Sequence, residues 1–92
     1  MAVIMISEVP GADASLLDGL RAAGLPEAMA SAPGFVSHLS GPSPTGYCVV
    51  EVWETPEDHQ AWVDQHITPS LPPGMEPTPP EYVPLLLTVP EA

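Results

Sequence analysis

Three histidines are the side chains best suited to move a proton near neutral pH. His38 lies in "FVSHLS", while His59 and His66 lie in "EVWETPEDHQAWVDQH", Glu51 to His66. Glu51 opens that second stretch as a further acid–base candidate. Tyr47, Trp53, Trp62, Met75 and Tyr82 supply aromatic and soft apolar surface for a substrate. Together these residues suit removal of a proton from an acidic C–H or a phenol, with His38, His66 and Glu51 as candidate bases; read on its residues alone, His38 is equally a satisfied core histidine. An enolate formed in this way can close a ring, isomerise or react with oxygen.

Other chemistries find less support. His59 and His66 stand seven residues apart, roughly 10 Å along a helix axis, so one ion does not take both. No His-x-x-x-His or Glu-x-x-His spacing is present, and no metal site is expected. Cys48 is the only cysteine. It sits in an apolar strand-like run and reads as a small buried hydrophobe rather than a nucleophile. The chain has no G-x-G-x-x-G, no P-loop and no Ser-His-Asp order to suggest a nucleotide, flavin or acyl-transfer site. No cofactor is expected, although a single histidine would suffice to bind haem.

Charge narrows the partners. The formal net charge is −11, with Arg21 the one strongly basic side chain. Nucleic-acid binding needs many Lys and Arg residues to neutralise phosphates, and anionic membranes are repelled at long range. The opening "MAVIMISEVPGA" lacks a basic n-region and meets Glu8 early. It is not expected to act as a signal peptide, and no run is long enough to span a bilayer. The expected location is the cytoplasm.

These residues need elements to hold them. "AVIMISEV" (Ala2 to Val9) reads as a strand ended by Pro-Gly. Leu16, Leu17, Leu20 and Ala23 follow near helical spacing, and Gly24 can end that helix. "LPEAMASAPG" reads as a short helical turn and a loop, and "FVSHLS" (Phe35 to Ser40) as a strand. "GPSPTG" turns the chain into "YCVVEVWE" (Tyr47 to Glu54), the clearest strand. Thr55 then caps a helix with Pro56 in its first position and Asp58 in a capping-box pattern, running to about Ile67. Seven of the residues from Pro69 to Pro84 are proline, so 69–81 is an extended loop. It is placed to cover a pocket mouth or to wrap a partner. "YVPLLLTV" (Tyr82 to Val89) is the last strand.

The order β-α-β-β-α-β predicts a ferredoxin-like α+β domain over residues 1–92, with a four-stranded antiparallel sheet and both helices on one face. Apolar residues stand at consecutive positions in "VIMI", "CVV" and "LLL", a pattern that buries both sheet faces. The helices cover one face, so a second copy of the chain is expected on the other. On the strand 47–54, Cys48, Val50 and Val52 look like plain core, while Tyr47, Val49, Glu51 and Trp53 form the mixed face. "GPSPTG" does not fix the hairpin register, so the face that His38 joins stays open. On the helix, His59, Trp62, Val63, His66 and Ile67 follow the inward stripe. His59, in the first turn, is expected to be half-exposed and without a catalytic role.

The segment "PGFVSHLSGPSPTGYCVVEVWETPEDHQAWV" resembles the dimeric α+β barrel superfamily, in particular its small antibiotic-biosynthesis-monooxygenase-like proteins. The matching pieces are "GF-x-x-H-x-x-GP" from Gly34 and "GY-x-VVEVWET" from Gly46. The resemblance implies a homodimer with a pocket inside each subunit, between sheet and helices. It also implies a cofactor-independent monooxygenase or polyketide cyclase, with His38 at the motif histidine and a hydrophobic polyketide-like substrate. Members without assigned activity imply the alternative of a non-catalytic dimer that binds a ligand or stabilises a biosynthetic partner.

Overall fold

The computed structural model describes residues 2–12, 14–70 and 79–89. The β-branched run at the start forms strand β1 (Val3–Pro10). Helices α1 (Ser15–Ala22) and α2 (Leu25–Ala30) follow. Between them Gly24 takes φ 74°, a left-handed conformation that glycine adopts without the Cβ penalty. Gly24 therefore ends one helix and redirects the chain into the next, where Pro26 fits the first turn. Strands β2 (Phe35–Ser43) and β3 (Gly46–Trp53) form a hairpin. Helix α3 (Pro56–Trp62) begins as the sequence predicts, with the Asp58 N–H donating to Thr55 Oγ1 at 3.1 Å. Strand β4 (Glu81–Pro84) is short.

The protein is α+β with one antiparallel sheet of order β2-β3-β1-β4. That order is compatible with a ferredoxin-like arrangement. A strict β-α-β-β-α-β sequence of elements is not what the chain shows, because the break at Gly24 leaves two helices between β1 and β2. The last strand also stops sooner than its apolar run predicts. Pro84 has no N–H with which to continue the ladder; Leu85 still donates to Ala2 O at 3.0 Å, but Leu86, Leu87 and Val89 are exposed. Of the Pro-rich loop expected at 69–81, residues 71–78 lie outside the described residues, and Met75 lies among them.

The third helix does not continue to Ile67 in α form. Beyond Trp62 it widens to a π turn over Val63–Ile67 and then tightens to a 3-10 turn over Thr68–Ser70. A π turn changes the angular step between residues, yet Val63 and Ile67 still pack on the core and His66 still stacks on Trp62, so the inward stripe persists while Asp64 and Gln65 stay exposed.

The core occupies the sheet face opposite to the one the sequence suggests. Met5, Leu25, Trp53 and Trp62 form its buried centre, with Val3, Leu20, Met29, Phe35, Val49, Ile67 and Tyr82 packed around it. Thus the odd residues of β3 face the helices, and Cys48, Val50 and Val52 are only half-buried on the other side. The two tryptophans decide the matter, since each removes more apolar area from water than a valine does. Trp53 meets Phe35 edge-on at 5.4 Å and lies 6.5 Å from Trp62. On the second face Leu39 is 67% exposed and Ile6 37% exposed. That face is apolar and open within the chain.

Candidate functional site

A bulge in β2 settles where His38 points. Phe35 pairs with Trp53, but Ser37 pairs with Val52 and His38 with Glu51. The extra residue, Val36, is pushed outward and is exposed. A bulge of this kind shifts the alternation by one. Phe35 and His38, three residues apart, therefore both face the helix side. Without the bulge His38 would stand on the open face with Leu39 turned inward.

Glu51 is the centre of the arrangement. It is 4% exposed, on a central strand, and its two oxygens are shared between neighbours. Trp53 Nε1–H donates to Oε1 at 2.8 Å, and His38 Nδ1–H donates to Oε2 at 2.7 Å. Beyond His38 the chain of contacts continues outward. Ser40 Oγ lies 2.9 Å from His38 Nε2, and the Tyr47 hydroxyl lies 2.8 Å from Ser40 Oγ. The direction of these bonds follows from the donors available. Indole N–H only donates and a carboxylate only accepts. A neutral His38 whose Nδ1–H is given to Glu51 must accept at Nε2. Ser40 Oγ–H then donates to Nε2, and Tyr47 O–H donates to Ser40 Oγ.

A second histidine closes on the same carboxylate. His59 Nε2 stands 3.7 Å from Glu51 Oε1, too far for a hydrogen bond but near enough for a strong electrostatic effect. His59 Nδ1 and the Tyr82 hydroxyl share a hydrogen bond of 2.7 Å, and the Trp53 ring meets the His59 ring edge-on at 5.7 Å. His59 is 5% exposed. The expectation of a half-exposed histidine is therefore corrected. Position in the first helical turn suggested solvent, but the inward stripe placed the ring against β3 and β4. The signal was in the sequence, since His59 begins that stripe.

Burial pushes the His59 pKa down, against the opposing pull of the Glu51 charge. Burial, with Glu57 and Glu51 behind it, pushes the Tyr82 phenol up. Both groups are thus held neutral across the neutral range. The sign for stability follows. Below about pH 6.5, the ordinary histidine value, the unfolded chain binds a proton that buried His59 resists. Stability then rises with pH through that window and is lost as pH falls through it. We expect the melting temperature to drop between about pH 7 and pH 5.5, and His59→Gln to flatten that slope relative to the parent. An unchanged slope in the variant counts against the burial of His59.

The remaining sequence candidates fall in different places. Tyr47, Trp53 and Trp62 are buried, with Trp53 and Trp62 at the centre of the core. Tyr82 is half-buried and holds His59. His66 is stacked on Trp62, with ring centres 4.3 Å apart and planes 27° apart. The hydrogen-bonded chain around Glu51 runs through His38 and not through His66. Ser40 was not singled out by the sequence, because its place beside His38 depends on strand geometry at i and i+2. A shallow depression of about 290 Å³ is lined by Leu39, Ser40, Gly41, Pro42, Cys48 and Val50. It sits on the other side of the sheet from Glu51.

Among the described residues no three His, Cys, Asp or Glu side chains are grouped to hold a metal ion. No helix among them is long and apolar enough to cross a membrane. What fold and site define is an α+β protein with a buried carboxylate that orients one histidine toward an exposed sheet edge. The chain matches no family model, no curated protein and no solved structure.

Proposed function

We propose that this chain is a cofactor-independent biosynthetic enzyme of the monooxygenase or cyclase type, which removes a proton from a hydrophobic, polyketide-like small molecule. In this reading it belongs with the antibiotic-biosynthesis-monooxygenase-like dimeric α+β barrels and works in the cytoplasm. A second copy of the chain covers the open apolar sheet face.

The observation that carries the reading is the His38–Glu51 pair. A carboxylate buried to 4% exposure meets a histidine whose side chain is 29% exposed, at 2.7 Å. The buried partner fixes the ring orientation through a charge-assisted hydrogen bond at Nδ1. The exposed ring edge is where a substrate proton can arrive, with Ser40 Oγ now occupying that place. The net charge of −11 favours uncharged substrates over anionic ones.

The reading is tested with a bicyclic 1,3-diketone in D₂O, following loss of its acidic C–H signal by NMR. Exchange well above the solvent rate is expected. One observation favours the non-catalytic alternative: among the described residues every buried side-chain nitrogen and oxygen already has a hydrogen-bond partner. Binding of the diketone with exchange at the solvent rate would decide for that alternative.

A further inference from the structure

We propose that Ser40 is a nucleophile, and that Ser40, His38 and Glu51 form an acyl-transfer relay for small uncharged esters. The proposal shares His38 and Glu51 with the proton-abstraction reading but rests on a different atom, Ser40 Oγ. Three observations carry it. Ser40 Oγ is 2.9 Å from His38 Nε2, within reach for direct proton transfer. His38 Nδ1 is 2.7 Å from a carboxylate that is itself anchored by Trp53 Nε1–H. That is the nucleophile, base and orienting acid in the order such chemistry requires. Ser40 is also exposed, on edge strand β2, so an ester can approach it.

The negative charge that develops on the carbonyl oxygen needs a hydrogen-bond donor. Tyr47 O–H, 2.8 Å from Ser40 Oγ, can turn to the carbonyl oxygen of an ester being attacked.

In the step itself, Ser40 Oγ bonds to the ester carbonyl carbon and its proton moves to His38 Nε2. The C–O bond to the leaving group then breaks, and the departing alcohol or phenol takes the proton back from Nε2. Water, deprotonated by the same nitrogen, attacks the acyl-serine; the acid leaves and Ser40 recovers its proton. With a charge of −11 on the protein, phosphate-bearing thioesters are poor candidates and neutral esters good ones.

The test uses the whole chain and para-nitrophenyl acetate, with nitrophenol release followed optically and the modified peptide mapped by mass spectrometry. One acetyl group on Ser40 is expected. Ser40→Ala should lose the acetyl group and lower nitrophenol release about a hundredfold or more. Ser40→Cys should regain acetylation at position 40, which guards against loss of folding as the cause. Acetyl found on Cys48 or a histidine with Ser40 unmodified, or release by Ser40→Ala at the parent rate, overturns the proposal. Absence of diketone exchange in the parent counts against the proton-abstraction reading alone, and absence of acetylation in the parent counts against this proposal alone.

Discussion

Replacing Glu51 with leucine is expected to lower the unfolding free energy by about 1–3 kcal/mol, the cost of leaving a buried donor without an acceptor. The donor in question is Trp53 Nε1, on a side chain with no measurable exposure. His38 loses the same acceptor, but its exposed edge recovers water, so its share of the cost is small. Leucine also removes a buried charge, which offsets part of the loss. Changing both partners isolates the Trp53–Glu51 bond. Trp53→Phe alone leaves Oε1 of Glu51 short of a donor, and with Glu51→Leu it removes donor and acceptor together. Replacing both partners with apolar groups costs less than the two single changes summed. Chemical denaturation of the parent, both single variants and the double variant closes the cycle. A coupling near zero would mean that the Trp53–Glu51 bond does not form in solution.

The second large effect is on rate. His38→Gln should lower diketone exchange by about a hundredfold to ten-thousandfold, the usual cost of removing a general base. Glutamine retains a polar group opposite Glu51, so the variant should keep a melting temperature near that of the parent. His66→Gln should remain within a few-fold of the parent, because His66 stacks on Trp62 rather than joining the chain of bonds through Glu51. His59→Gln should act mainly on stability, through the lost bond to Tyr82. If His66→Gln shows the large loss and His38→Gln does not, the base has been misassigned.

Much of the frame was legible in the residues. Strand β3 and the capped start of α3 follow from "YCVVEVWE" and from Thr55, Pro56 and Asp58, where local chemistry alone fixes the backbone. Glu51 and His38 were visible as candidates, but not as a pair. Their meeting depends on the bulge at Phe35–Ser37, and nothing in "GFVSHLS" marks an inserted residue. The core face is hidden in the residues for a related reason. Valines at 50 and 52 look more like core than an alternation of Tyr47, Glu51 and Trp53, until the glutamate is seen to be satisfied by its own neighbours. For His59 the helix face is a better guide to burial than the position in the first turn. The π turn after Trp62 has no signature in "VDQHI" that period counting detects.

The central claim is that Glu51 holds His38 with Nδ1 protonated and Nε2 ready to accept a proton. Long-range ¹H–¹⁵N correlation spectra of the imidazole rings, recorded across a pH series, test it most directly, because they report which ring nitrogen carries the proton. The account predicts that neutral His38 carries its proton on Nδ1, and that Glu51→Gln weakens this preference. A neutral His38 with its proton on Nε2 and a bare Nδ1 facing Glu51 would contradict it.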